Sequence, residues 1–227
     1  MASQNQQQQD ETAIDKMNSQ LTAAGDKIAN NKKIIVWAVG AIVVVAALVM
    51  CYIFLYNKPH HEAAYDAYNK VETEVLGNDS LAAVKYKEVA DKYKGDKAGK
   101  LAALSAGQAL YNEGKYEEAA EYLKRFSSDD DVLNANTLVL VGDCYVNLKK
   151  YDEAIDYFQK AIREANSNSQ IVPRVLLKEA NVYDEQKKYD KALECYKQIK
   201  DSYPQFQLGN GLGIDAYIAR ENARLAK

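Results

Sequence analysis

The stretch GDCYVNLKKYDEAIDYFQKA, residues 142–161, decides the fold. Gly142, Tyr145, Tyr151, Ala154, Phe158 and Ala161 stand three, six, three, four and three residues apart, with polar side chains between them. Steps of three and four put small and large apolar residues on one face of a helix. The polar tract Asn147-Leu148-Lys149-Lys150 reads as the turn between two such helices. Working outward, the same spacing recurs on both sides. Upstream it is Gly107-x2-Leu110-x5-Tyr116-x2-Ala119-x3-Leu123, and downstream Ala180-x2-Tyr183-x5-Tyr189-x2-Ala192-x3-Tyr196, with Pro204 closing the unit. Ala119, Ala154 and Ala192 are 35 and then 38 residues apart.

The physical logic is the same in each copy. A small residue (Gly107, Gly142 or Ala180) lets the second helix of a pair approach the first. The Ala of the second helix receives the large side chain three residues after that small one. Gly114, in the first turn, takes a left-handed backbone at low cost. From Ala98 to Tyr203 the pattern resembles the tetratricopeptide (TPR) family, whose period is near 34 residues and whose signature is small-x2-Tyr, Ala-x3-Phe, then Pro. The chain departs from the family in lacking a Trp at the head of each repeat, and in short insertions before the second and third copies.

The resemblance implies an α-solenoid whose concave face is built from the first helix of each pair and binds protein segments. Aligned on the repeats, the partner-binding groove is lined by Gln108, Tyr111, Asn112, Asp143, Val146, Asn147, Arg174, Asn181, Asp184 and Glu185. Tyr111 is the candidate anchor, since aromatic side chains dominate binding hot spots. Some TPR proteins hold a peptide carboxylate with a clamp of Lys and Asn. Arg174 and Lys178 match two basic clamp positions, but Leu104, Gln108 and Leu140 stand where Lys, Asn and Asn are needed, so no such clamp is expected.

The repeats have flanks. Ala82-x3-Tyr86-x2-Val89-x3-Tyr93 reads as the second helix of a degenerate first repeat, N-capped from Asn78-Asp79-Ser80, with a first helix near residues 62–75. The chain breaks at Gly209-Asn210-Gly211-Leu212-Gly213, and a final helix, residues 214–225, carries Ile214, Ile218 and Leu225 to cap the open end.

Before all this lies a different segment. Ile34 to Tyr56 is 23 residues without a charge, about 34 Å as a helix, enough for the hydrocarbon core of a bilayer. Trp37 near one end and Tyr52 and Tyr56 near the other match interfacial aromatic belts. A cleaved signal peptide is disfavoured by the 33 residues before the run, its length and the lack of an A-x-A site. Lys32-Lys33 abuts the span and places the N-terminus in the cytoplasm, which puts the repeats outside it. Residues 1–33 are polar and Gln-rich, a composition expected to be mostly disordered, with a short amphipathic helix around Ile14, Met17, Leu21 and Ile28.

Composition excludes several functions. The formal net charge is −3 with Lys and Glu interspersed, so no basic stripe suggests nucleic acid. Cys51, Cys144 and Cys195 have neither zinc nor disulfide-scaffold spacing; they read as small buried or half-buried side chains, with a Cys144–Cys195 bridge left open. The two histidines, His60 and His61, adjoin the span and read as an interfacial linker. Ser127-Ser128-Asp129-Asp130-Asp131 lacks the Gly and Glu of a calcium loop and reads as a solvated inter-repeat loop or a helix cap. No nucleophile, metal or phosphate-loop motif occurs, so no catalysis, metal, cofactor or small-molecule substrate is expected.

The expected chain is therefore all-α, in five segments: a polar cytoplasmic tail (1–33), a transmembrane helix (34–56), a linker with the degenerate first repeat (57–97), three TPR repeats (98–207) and a C-terminal capping helix (208–227). This order resembles the YfgM-like ancillary subunit of the bacterial SecYEG translocon. The resemblance implies a single-pass inner-membrane adaptor with a periplasmic repeat domain, and as partners the channel and a membrane-anchored prolyl-isomerase-type chaperone. A TPR scaffold of another envelope machine, in outer-membrane assembly or cell division, is the alternative.

Overall fold

In the computed structural model, residues 32–208 and 213–226 are described, together with Thr22; the expected tail helix and most of the Gly-rich break lie outside the described residues. All the secondary structure described is helical, without strands. The chain divides into two units, Met1–Pro59 and His60–Lys227.

The first unit holds α1 (Lys32–Tyr52) and a π-helical turn, Ile53–Asn57. In that turn the Lys58 N–H donates to the Ile53 carbonyl, five residues back. Pro59 follows at once, in the first turn of α2 (Lys58–Glu74). The chain has three prolines. Pro173 and Pro204 lie in a first turn and after a last one, but Pro59 sits within a continuous helical run. A proline ring meets the carbonyl four residues back and has no N–H to give it, and a wider turn relieves both problems.

The second unit begins in α2 and continues through α3 (Asp79–Lys92), α4 (Lys97–Asn112), α5 (Tyr116–Leu123), α6 (Asp131–Asn147), α7 (Tyr151–Glu164), α8 (Val172–Glu185), α9 (Tyr189–Ser202) and α10 (Ile214–Leu225). The starts are capped as the sequence suggests. Asn78 Oδ1 accepts the Leu81 N–H at 3.0 Å, and Asp130 Oδ1 accepts those of Val132 and Leu133 at 2.9 and 3.1 Å. Three hairpins, α4–α5, α6–α7 and α8–α9, share one turn. Gly114, Lys149 and Lys187 hold φ of 77°, 58° and 59°. After each, a backbone N–H reaches five residues back: Lys115 to Leu110, Lys150 to Tyr145 and Lys188 to Tyr183, all at 2.9 Å. This is the left-handed helix C-terminus, and two lysines adopt it where glycine was the expected device.

The spacing of small residues does what it predicts. A Cβ on Gly107 would lie 2.5 Å from Leu123 Cγ, and one on Gly142 would lie 2.5 Å from Phe158 Cε1. Ala119, Ala154 and Ala192 are fully buried. Two apolar clusters result, one from α2 to α6 and one from α6 to α9, and Tyr145 packs against both. Each fully buried side chain of the size of Phe158 contributes about 1.5–3 kcal/mol by leaving water. Cys144 and Cys195 are buried and free, and burial pushes both thiols up to about 12, so they are unreactive packing groups.

α10 spans the expected residues but packs differently from the expected apolar cap. Ile214 and Ile218 are half-buried, Leu225 is exposed, and the fully buried side chain is Glu221. Arg220 and Arg224 flank that carboxylate and make its burial tolerable.

Candidate partner-binding face

The first helices of the three hairpins, α4, α6 and α8, carry the residues expected to line the groove. Side chains on successive helices meet one repeat apart. Asn147 Nδ2 on α6 donates to Tyr111 Oη on α4 at 3.3 Å. Lys178 Nζ on α8 donates to both oxygens of Asp143 on α6, at 2.9 and 3.0 Å. Arg220 and Arg224 on α10 pair with Asp184 on α8, the latter at 3.1 Å. Asn112 Nδ2 donates to Asp79 at 3.2 Å. These pairs are 33 to 40 residues apart in sequence, the span of one repeat.

The electrostatics follow from burial. Burial raises the carboxyl of Asp143 despite the two Lys178 hydrogen bonds. Asp184 is raised by burial first and by the nearby Glu221 charge second, against its two arginines. Burial also raises the Tyr111 phenol, whose ring meets Tyr116 edge-on with centroids 5.3 Å apart. Asp143 and Asp184 are thus already engaged within the chain. A ligand cation at either would have to displace Lys or Arg.

The remaining predicted residues fall into two groups. Gln108, Asn181 and Glu185 are exposed and Val146 is half-buried; Asn181 Oδ1 lies 3.5 Å from Tyr196 Oη. Arg174 is exposed and has no ion-pair partner among the described residues. It borders a separate recess of about 670 Å³ with Leu177, Tyr203 and Phe206. The polar surface of the face is therefore Gln108, Tyr111, Asn112, Asn147, Asn181 and Glu185.

Within single repeats the sequence puts Lys178 at a clamp position, but it does not show the ladder that Lys178, Arg220 and Arg224 close, nor the outer rungs Lys150–Glu117 and Gln186–Asp152, both at 3.0 Å. The signal was available: complementary polar residues recur one repeat apart. No group of three or more potential metal ligands occurs among the described residues.

Comparison with known proteins bears on the fold. No curated protein sequence matches the chain. Among solved structures, "Crystal structure of MamA protein" is 21% identical with a TM-score of 0.50, covering 74% of this chain and 88% of that one. "Crystal structure of MamA" is 22% identical with a TM-score of 0.49, covering 68% and 93%. "Functional Characterization of Pseudomonas Aeruginosa pilF" is 20% identical with a TM-score of 0.43, covering 73% and 91%. At such identities a likeness concerns the fold alone. The family model described as tetratricopeptide repeat protein 21 N-terminal ARM repeat matches residues 62–219, from α2 into α10, and the chain belongs to that family of helical repeats.

Proposed function

We propose that this chain is a membrane-anchored adaptor whose repeat domain binds segments of other proteins. The observation that carries the reading is α1. Every one of its described apolar side chains is exposed, including Trp37 at 80% and Leu48 at 65%, whereas the repeat helices bury theirs. Water does not tolerate an apolar surface of that size, and a bilayer does. The positive pair Lys32-Lys33 supports a cytoplasmic N-terminus and a repeat domain on the outer side of the inner membrane. Residues 1–33 would be the tail, 34–56 the span, 57–97 the linker and first repeat, 98–207 the three TPR units and 208–227 the cap.

The binding surface of this reading is the face of α4, α6 and α8, with Gln108, Tyr111, Asn112, Asp143, Val146, Asn147, Arg174, Asn181, Asp184 and Glu185. One half-buried aromatic among amides and acids suits a peptide backbone with polar side chains better than an apolar small molecule. Tethering at the membrane raises the effective concentration of partners there, so a weak contact suffices. The order of segments favours the Sec channel and a periplasmic prolyl-isomerase-type chaperone as those partners, and the chain catalyses nothing in this reading.

The test is co-purification from detergent-solubilised membranes. The intact chain should bring down channel subunits. Tyr111→Ala with Asn147→Ala should lose them, and a chain whose residues 34–56 are exchanged for an unrelated span should keep them. If the groove variant keeps every partner and the exchanged span loses all, recognition lies in the span and the groove assignment is wrong.

A further inference from the structure

The turn from α3 to α4, Lys92-Tyr93-Lys94-Gly95-Asp96-Lys97-Ala98-Gly99-Lys100, carries four lysines and one aspartate. The fold turns the aspartate inward and leaves the lysines outside. Asp96 is 7% exposed, caps α4 by accepting the Ala98 N–H at 2.9 Å, and pairs with His61. Lys92, Lys94 and Lys97 are exposed and Lys100 is half-buried. Lys94 and Lys100 have no carboxylate partner among the described residues, and Lys97 has only the exposed Asp129 at 3.9 Å. Of the other nearby acids, Asp91 is held by Arg125 and the Tyr122 hydroxyl, and Asp130 caps α6. Glu62 on α2 remains exposed.

Two recesses flank Lys100. One, of about 210 Å³, has a floor of Ala90, Gly99 and Ala103 and a rim of Lys94, Lys100 and Arg125. The other, of about 220 Å³, sets Tyr65, Leu101 and Phe126 beside Lys97, Lys100, Ser128 and the carboxylate of Asp129. The first recess, rimmed by Lys94, Lys100 and Arg125, suits a phosphate, the charged group of an anionic lipid headgroup.

The covalent chain brings a bilayer within reach. The His60 ring lies 5.3 Å from that of Tyr93, and both belong to the second unit. Only four residue steps separate His60 from Tyr56, the end of the apolar segment. Four residues extend at most about 14 Å, whatever the arrangement of the two units. We propose that the lysine-rich turn between α3 and α4 contacts anionic lipid headgroups beside the span; this rests on the reading of residues 34–56 as a membrane anchor. A lysine near an anionic surface strengthens its attraction about five-fold, and the effect fades within about 8 Å at physiological salt.

The experiment uses the full chain reconstituted into vesicles of phosphatidylcholine alone, or of phosphatidylcholine mixed equally with phosphatidylglycerol. Brief acylation with a water-soluble amine reagent is read by peptide mass spectrometry. Phosphatidylglycerol should protect Lys92, Lys94, Lys97 and Lys100 at least about three-fold relative to the exposed Lys160 and Lys197, and high salt should remove the protection. Equal labelling in the two vesicles overturns the proposal. So does equal protection in phosphatidylcholine vesicles on adding inorganic phosphate or a short oligonucleotide, since the turn would then be a general anion site. Flotation of the vesicles separates the two readings. A chain that fails to float with them removes the anchor and this contact together, whereas a chain that floats with unprotected lysines removes the contact alone.

Discussion

The hairpins α6–α7 and α8–α9 are built on one plan and filled in two ways. At matching positions α6–α7 has Val141, Gly142 and Phe158, and α8–α9 has Glu179, Ala180 and Tyr196, all buried. At these positions the first of the two is filled without polar side chains. The second buries a carboxylate and a phenol, and each needs a partner from a neighbour. Gln159 Nε2 on α7 donates to Glu179 at 3.1 Å, and Arg220 on α10 donates to Tyr196 Oη at 3.2 Å. The last hairpin is therefore tied to α7 and to α10 through polar groups inside its core, whereas the ties of the middle one, Asn147–Tyr111, Lys150–Glu117 and Asp143–Lys178, lie outside its apolar core. Buried polar groups of this kind raise the cost of losing a neighbour, because the orphaned group stays desolvated.

The largest expected effect breaks the fit. In Gly142→Ala the new methyl falls 2.5 and 2.6 Å from two carbons of a Phe158 ring that is fully buried. Overpacking at such a site costs about 1–3 kcal/mol, and thermal unfolding followed by circular dichroism should drop by roughly 2–4 °C for each of those kcal/mol. Adding Phe158→Leu should recover part of the loss, since touching residues are not additive. In the other hairpin, Ala180→Gly should cost no more than about 1 kcal/mol. A Gly142→Ala protein that melts like the parent would mean that the two helices do not approach so closely.

That contact was legible in advance because steps of three and four name both partners within one repeat. The hairpin count, the Asn78 cap and the limits of α10 were legible for the same reason: each rests on residues close in sequence. Contacts between repeats were not. Asp143 read as a groove ligand, and its engagement by Lys178 emerges only when α6 and α8 are stacked in register. The burial of Glu221 was not legible either, because it depends on two arginines that neutralise it. Lys149 read as an ordinary turn residue, since nothing in its chemistry announces a left-handed backbone.

The second way to sharpen the comparison is the buried carboxylate. Burial raises Glu179 above the ordinary carboxylate range, against the hydrogen bond from Gln159. The folded chain thus holds this proton more tightly than the unfolded chain. The resulting stabilisation is present below the unfolded value and is lost as pH rises through the folded one. Glu179→Gln keeps an oxygen for Gln159 and cannot ionise. The variant should be more stable than the parent at neutral pH, by on the order of 1 kcal/mol, and the gap should close as pH falls below about 4.5, the ordinary value for Glu. Taking the difference between the two proteins cancels the other carboxylates. Parallel stability profiles from acid to neutral would show that Glu179 does not titrate with folding. Val141, at the matching place in α6, has no such pH dependence to lose.

The smallest expected effect concerns what the hairpins share. Lys149 and Lys187 hold φ of 58° and 59°, close to the 77° of Gly114 in the first hairpin. A left-handed backbone costs a residue with a Cβ about 1–2 kcal/mol. Glycine removes that strain but gives the unfolded chain more freedom, which offsets part of the gain. Both lysine side chains project at the turn, and neither has an ion pair among the described residues; the pairs nearby belong to Lys150 and Lys188. Little beyond the strain should therefore change in Lys149→Gly or Lys187→Gly, and each should stabilise the fold by about 0.5–1 kcal/mol in denaturant unfolding, with no dependence on salt. Gly114→Lys should lose a similar amount. Because the turns are alike while the cores differ, the two lysine variants should gain equally. A gain at Lys149 with none at Lys187 would mean that the polar core of the last hairpin reaches its turn, so that the difference between the hairpins extends to the one feature they hold in common.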